Sequence, residues 1–220
     1  MKEKIDFFIN DAKKLYDNND LPYHNFNHVQ SMLDMAEKYN CKLTMSQMLA
    51  ILYHDCVYVP GAKDNEEQSA KTMCLHVDED GVNPFYHNEI ATAERIILDT
   101  KDHIATREES KLVIDLDLAS LGYEWKVFSE STKNIYNEYK KFYVDKSDRD
   151  FDFEVLFHQG NINFGNRMLS RSNIYYTDLF RNMYEKRATI NLFKMINESQ
   201  TMLKIYEESS TNKNNLQSKN

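Results

Sequence analysis

The chain has 220 residues, of which 41% are hydrophobic and 12% aromatic, so it is long enough to bury a core, and its composition argues against global disorder. Its net charge of −8 argues against binding to long nucleic acids or anionic membranes, because phosphate contacts need clustered lysine and arginine. Five glycines and three prolines are few for the tight turns of a β-sandwich or barrel, so the composition favours helices.

The cysteines and the amino terminus indicate a cytoplasmic protein. Cys41, Cys56 and Cys74 are odd in number and show no C-x-x-C spacing, as is typical of reduced thiols rather than a disulfide framework. The first residues, MKEKIDFFINDAKKLY, lack the apolar stretch of a signal peptide. No stretch of the sequence is apolar for long enough to predict a membrane span.

Apolar residues recur at three- and four-residue steps through the amino-terminal half, which predicts amphipathic helices. Thr44 and Gln47 predict a capping box at the start of one of them, and Pro84 is placed to begin another. In chain order, the predicted helices contain the residues around Phe7, the run after Val29, and the stretches TMSQMLAILYHD, DNEEQSAKTMCLHV and FYHNEIATAERIILDT.

The carboxyl-terminal half continues the helical pattern. Like Asp64 and Glu67 before them, Thr106 and Glu109 predict a capping box, and Gly122 is a stop signal for the helix that Thr106 begins. The sequence therefore predicts one all-α domain over residues 1–206 and a polar, disordered tail over residues 207–220. The predicted helices here are REESKLVIDLDLASL, WKVFSESTKNIYNEYKKFY, DFEVLFHQ and DLFRNMYEKRATINLFKMINESQTMLKIY.

The pair His54-Asp55 stands at the end of an apolar helix, where it offers a nitrogen and an oxygen to one point. The negative end of the helix dipole also favours a cation there. Alone, such a pair is equally typical of an ordinary helix terminus. His28 opens another helix, and Asp115 and Asp117 lie on a third. Two imidazoles and two carboxylates from three helices predict a site for Mn, Fe, Co, Mg or Zn.

Helical spacing separates the two candidate aspartates. A carboxylate on an apolar face needs a partner, because burying an unpaired charge is costly. Asp117 is therefore the predicted metal ligand, and Asp115 a supporting catalytic group in a more solvated neighbourhood. Asp117 shares its face with Val113, Ile114, Ser120 and Leu121, whereas Asp115 shares its face with Lys111 and Glu108.

Five short motifs occur in the order that resembles a branch of the HD-domain metal-dependent phosphohydrolases. Any one of them is unspecific, but the ordered set is specific, and the similarity covers residues 5–205. The motifs are YHN-x-x-H, HD-x-VY, NEE-x-SA, T-x-x-H and D-x-DL-x-x-LG, here within Tyr23–His28, Tyr53–Tyr58, Asn65–Ala70, Thr100–His103 and Asp115–Gly122.

The resemblance implies a single HD-domain-like helical bundle with metal ligands His28, His54, Asp55 and Asp117. It implies that His28, which precedes the run VQSMLDMA, is a ligand, while His24 lies near the substrate. A capping or core role for His28 is the alternative. The four ligands are expected to converge on one point from three helices.

Further residues are candidates for catalysis and substrate binding. Glu66 is a candidate general acid or base, since the neighbouring Glu67 has a capping role in the same helix turn. His103 is a candidate for contact with phosphate or with a second metal, or for helix-end capping. Lys63 and Arg187 are candidate phosphate-binding cations.

The resemblance implies hydrolysis of a nucleotide or related phosphate ester through attack of a metal-activated water. Two alternatives stay open at this point. One is a non-catalytic nucleotide- or metal-binding regulatory module, and the other is a di-iron HD oxygenase, which needs more ligands than the four defended above. Oligomeric state is not predicted.

Overall fold

In the computed structural model, which describes residues 2–17, 20–79, 87–144 and 150–217, every regular element is a helix. The prediction of an all-α protein is confirmed. A 3₁₀ turn over Leu118–Gly122 follows the sixth helix. The α-helices are α1 (Lys2–Asp17), α2 (Phe26–Lys38), α3 (Met45–Tyr53), α4 (Asn65–Glu79), α5 (His87–Thr100), α6 (Glu108–Asp117), α7 (Trp125–Val144), α8 (Asp150–Leu169) and α9 (Asp178–Gln217).

The chain divides into two compact units. Unit 1 consists of Met1–Ala119 together with Tyr175–Thr177, and unit 2 consists of Ser120–Ile174 together with Asp178–Asn220. A single domain over residues 1–206 stays a prediction. Helix α9 runs to Gln217 and so covers most of the predicted tail, whose disorder in solution stays a prediction too; residues 218–220 lie outside the described residues.

Helix α3 is the centre of unit 1. It packs against α1, α2, α4, α5 and α6, and its last residues, from Leu49 to Tyr53, are each at most 2% exposed. A helix that is apolar on all sides is stable only when it is surrounded. Since α3 ends at Tyr53, the polar pair His54 and Asp55, which follows it, lies in the interior of the unit.

The capping box predicted for α3 is confirmed. The hydroxyl of Thr44 accepts a hydrogen bond from the Gln47 amide at 3.2 Å, and Oε1 of Gln47 accepts one from the Thr44 amide at 3.0 Å. Nε2 of Gln47 also donates to the carbonyl of Glu109 at 2.9 Å, which ties the start of α3 to the start of α6.

The capping box predicted for α6 is wrong. Arg107 is the N-cap of this helix and makes no side-chain capping bond. The amide and hydroxyl of Thr106 both donate instead to the carboxylate of Asp99, which is 5% exposed and also accepts from Ser110 at 2.6 Å. A buried carboxylate needs hydrogen-bond donors, and because Thr106 donates to Asp99 it does not cap the start of α6.

The start at Pro84 predicted for α5 lies outside the described residues. The described part of this helix begins at His87.

Unit 2 is formed by α7, α8 and α9, with α8 packed against both of the others. Its buried apolar residues include Phe128, Phe153, Phe180 and Leu192. The amide of Asn191, buried on α9, donates to the carbonyls of Leu121 and Tyr123 at 2.8 Å each. In the part of the chain that the structure describes, none of the helices has the length and apolar character needed to cross a bilayer.

Gly122 ends the 3₁₀ turn, where the sequence predicts a stop, and it does so against Tyr184. A Cβ at residue 122 would lie 2.5 Å from the Cβ of Tyr184, an atom close to the backbone of α9 that cannot swing away. Gly160, exposed on α8, has no atom within 4 Å of the corresponding position. The two glycines are therefore a matched pair for substitution.

We expect Gly122→Ala to lower the free energy of unfolding by about 1–3 kcal/mol, because the added methyl group overpacks the contact with Tyr184. Gly160→Ala should raise it by about 0.5–1 kcal/mol, since alanine is the better helix former. Thermal unfolding followed by circular dichroism measures both. A Gly122→Ala protein as stable as the wild type would contradict the close approach.

Candidate metal centre

His54 and Asp55 follow α3 directly and lie in the interior of unit 1. Nδ1 of His54 lies 3.0 Å from the carbonyl oxygen of Ile51, one turn earlier in the same helix. Because a carbonyl oxygen only accepts, Nδ1 carries the hydrogen of this bond, and in a neutral ring Nε2 carries the lone pair. Nε2 lies 3.1 Å from Oδ2 of Asp55.

His28 and Asp117 reach the same place from two other helices. His28 is in the first turn of α2, which Asn25 caps by accepting a hydrogen bond from the Asn27 amide at 2.8 Å. Its Nε2 lies 3.0 Å from Oδ1 of Asp117, the last residue of α6. The same oxygen lies 3.8 Å from Nε2 of His54.

These side chains form a donor set that fits a divalent cation. One ligand atom each from His28, His54 and Asp55 lie within 4.8 Å of one another, and Asp117 contacts both imidazoles. Nε2 of His54 is fully buried and makes no hydrogen bond of regular geometry within the described part of the chain, although Oδ2 of Asp55 lies 3.1 Å from it. A buried nitrogen that faces a carboxylate without a regular hydrogen bond needs an explanation. Imidazole nitrogens and carboxylate oxygens are ligands for Mn, Fe, Co and Zn.

The electrostatics of the cluster are dominated by its two carboxylates. Burial lowers the pKa of His54, but the charges of Asp55 and Asp117 outweigh this effect and raise it to about 9. Burial raises the pKa of Asp55, but His54 and His24 lower it to about 2. Burial likewise raises the pKa of Asp117, and contacts with His103 and His28 bring it well below its usual range. Both carboxylates are therefore ionised at neutral pH and favour a positive charge between them.

His103 also contacts Asp117. Its Nε2 lies 3.2 Å from Oδ2, the carboxylate oxygen that faces away from His28. The residue sits in the turn after α5 and has φ of +54°. The candidate catalytic histidine therefore lies at the ligand cluster. Of the three histidines that contact Asp117, His103 has the most exposed side chain: 18% of it is accessible, against 8% for His28 and 1% for His54.

Aromatic rings surround the histidines of the first motif. His24 stacks on Tyr58 with ring centroids 3.6 Å apart, and Tyr23 stacks on His28 at 5.3 Å. The charge of His24 contributes to the low pKa of Asp55, so this ring lies near the cluster. Tyr58 belongs to the motif that contains His54, but its contact with His24 could not be read from the spacing. Tyr23 and Tyr58 therefore pack against the imidazoles of the first motif, whereas the ring of Tyr53 lies edge-on to His76.

Glu66 is half-buried in the first turn of α4. Burial raises the pKa of this carboxyl, and the charge of Asp55 raises it further, while the ammonium of Lys101 lowers it. Lys101 forms an ion pair with Glu67 and donates to the carbonyl of Lys63. Sequence reasoning missed Lys101 as a cation near the site, although it lies within the T-x-x-H motif.

The two candidate phosphate-binding cations make other contacts in the structure. Lys63 is exposed, and its carbonyl rather than its ammonium is engaged by Lys101. Arg187 belongs to unit 2, where its guanidinium donates to the carbonyl of Gly122 at 3.3 Å and pairs with Glu124 at 3.0 Å. Its role in substrate binding stays a prediction.

The expectation of a solvated Asp115 is wrong. This carboxylate is fully buried and accepts three hydrogen bonds of 2.7 Å, from the amides of Tyr176 and Thr177 and from the Thr177 hydroxyl. Residues 61 and 62 positions later in the chain cover this face, which helical spacing alone cannot reveal. In addition, α6 ends at Asp117 and continues as a 3₁₀ turn, so the α-helical spacing used to group Ser120 and Leu121 with Asp117 does not apply after residue 117.

Comparison with known proteins adds nothing to this geometry, because the chain matches no protein-family model, no curated protein and no solved structure.

We expect Asp115→Asn to destabilise the protein rather than to affect only chemistry. An amide offers one acceptor oxygen, and its NH₂ group would face a buried N–H or O–H donor, which costs about 3 kcal/mol. Thr177→Val removes one of the three donors and should cost less, about 1 kcal/mol. Chemical denaturation of the two variants measures the difference. Equal and negligible losses would contradict an anchoring role for Asp115.

Proposed function

We propose that the chain is a divalent-metal-dependent phosphohydrolase of the HD-domain superfamily. The observation that carries the proposal is the convergence of His28, His54, Asp55 and Asp117, in which the buried Nε2 of His54 faces two carboxylates without a hydrogen bond of regular geometry in the described structure. The order of these residues along the chain agrees with the family motif that the sequence resembles. His28, His54, Asp55 and Asp117 would hold one metal ion.

A divalent cation bound by these residues supplies Lewis acidity toward a phosphoryl oxygen and makes a water molecule more acidic. The chain's own groups do the remaining work. Glu66, half-buried in the first turn of α4, would act as the general acid that donates a proton from its carboxyl group to the leaving oxygen. His103 holds Oδ2 of Asp117 and so fixes the orientation of that carboxylate.

The substrate class that fits best is a nucleotide or related phosphate ester. The stacked pair of His24 and Tyr58 offers a flat surface near Asp55, and Lys101 supplies a cation close to Glu66. Such a site suits a small phosphorylated molecule, and the acidic chain does not suit long nucleic acid. A cytoplasmic location is part of the same proposal, since small phosphate esters are abundant there.

The metal site is tested by substitution of the central histidine. His54→Ala should lose bound metal while its helical content stays near that of the wild type, because the ring is replaced at the end of α3 and not within it. The control is His76→Ala, which removes an imidazole of unit 1 that pairs with Asp11 and should leave metal binding intact. Elemental analysis and titration with Mn²⁺ or Co²⁺ measure occupancy. Full metal occupancy in His54→Ala would contradict the assignment of His54 as a metal ligand.

Catalysis is tested by phosphate release from a panel of nucleotides and phosphomonoesters with the metal-loaded protein. We expect Glu66→Gln to bind metal normally but to lose about 10²–10⁴-fold in kcat, the usual contribution of a general acid. Glu67→Gln, which alters the neighbouring carboxylate paired with Lys101, is the matched control and should lose far less. Metal binding without turnover of any substrate would favour a regulatory binding module instead.

A further inference from the structure

We propose that Tyr176 is a positioning residue that holds His103 against Asp117. The inference rests on the proposed metal site, but the contacts that carry it lie within unit 1 and do not involve a metal. Tyr176 belongs to the short segment Tyr175–Thr177, which none of the sequence motifs includes.

The backbone of His103 has a left-handed conformation in the turn that ends α5. Among the described residues other than glycine, only Asn40 and His103 have positive φ. The amides of His103 and Ile104 donate to the carbonyls of Thr100 and Asp99, which is the hydrogen-bond pattern of a left-handed helix C-cap. Of the two residues with positive φ, His103 is the one whose side chain reaches a candidate metal ligand.

The hydroxyl of Tyr176 supplies contacts that fix this turn. It donates to the carbonyl oxygen of His103 at 3.1 Å and accepts from the amide of Ala105 at 3.0 Å. One oxygen thus clamps both ends of the segment from His103 to Ala105. Without the hydroxyl, the turn keeps bonds from the His103 amide to Thr100 and from the Ile104 amide to Asp99, but it loses the contact that joins the carbonyl of His103 to the amide of Ala105 through one oxygen.

Tyr176 can act as a clamp because its own backbone is fixed on α6. Its amide donates to Asp115 at 2.7 Å, and the amide of the next residue, Thr177, donates to the same carboxylate at 2.7 Å. Asp117 lies two residues after this attachment point in the sequence. The contacts therefore form a closed ring, from Asp117 along α6 to Asp115, then to Tyr176, to His103, and back to Oδ2 of Asp117 at 3.2 Å.

A residue with a purely structural role would occupy the same place, so stability alone does not test the proposal. The informative change is Tyr176→Phe, which removes the clamping oxygen and keeps the ring. Tyr175→Phe is the matched control, because it deletes a hydroxyl one residue away that bonds to Leu118 and not to the turn. Both variants should fold, and both lose one hydrogen-bonding hydroxyl.

The first readout is the imidazole resonances of metal-free protein labelled with ¹⁵N in histidine, assigned with His103→Gln. In Tyr176→Phe we expect the His103 ring signals to shift or broaden, while those of His76 and His158 stay in place. In Tyr175→Phe the His103 signals should match the wild type. Unchanged His103 signals in Tyr176→Phe, or equal changes at every histidine, would overturn the proposal.

The second readout is Co²⁺ affinity and the visible absorption spectrum of the bound ion. Loss of a partner that orients a ligand weakens metal binding by about 10–100-fold, and for Tyr176→Phe, which acts through His103, we expect about tenfold, with an altered spectrum. Wild-type affinity and spectrum in Tyr176→Phe would count against the positioning role. If the wild-type protein binds no Co²⁺, the proposed function fails, and the histidine resonances still decide whether Tyr176 positions His103.

Discussion

The environment of one buried imidazole organises unit 1. Nδ1 of His54 is fixed by the carbonyl of Ile51, and Nε2 is held next to Asp55 and near Asp117. Two ionised carboxylates withdrawn from water are costly unless positive charge accompanies them. The histidines around them compensate in part, which is why the pKa values of Asp55 and Asp117 are low. The charge of His24 adds to this compensation at Asp55, and His103 adds to it at Asp117.

The apolar core and the polar cluster depend on each other through helix ends. Because α3 is buried on all sides, its carboxyl terminus lies inside the unit, and α6 ends at the same cluster with Asp117. The carboxyl ends of both helices bring partial negative charge to the cluster, whereas α2 contributes His28 from its first turn. The site is therefore built from termini, where side chains can converge without a wide gap between helices.

Local patterns in the sequence predicted what depends on local contacts. The helices and the capping box at Thr44 follow from periodicity and from residues three positions apart. The cap at Thr106 could not be predicted, because the competing carboxylate of Asp99 is buried only after α5 has packed. The burial of Asp115 depends on partners 61 and 62 residues away, so the spacing that assigned it to solvent contained no relevant signal. The approach of His28, His54 and Asp117 was expected from motif order. The contact of His103 with Asp117 was not expected, since the roles considered for His103 were contact with phosphate, contact with a second metal and helix-end capping.

The composition of unit 1 also bears on how the chain acquires its structure during synthesis. Residues 1–119 leave the ribosome well before Tyr175–Thr177, the segment that supplies the donors for Asp115. Until that segment emerges, the carboxylate of Asp115 in a nascent unit 1 lacks these hydrogen-bond donors. Completion of unit 1 is therefore a late event in translation, and a fragment cut after residue 119 would lack the residues that close it.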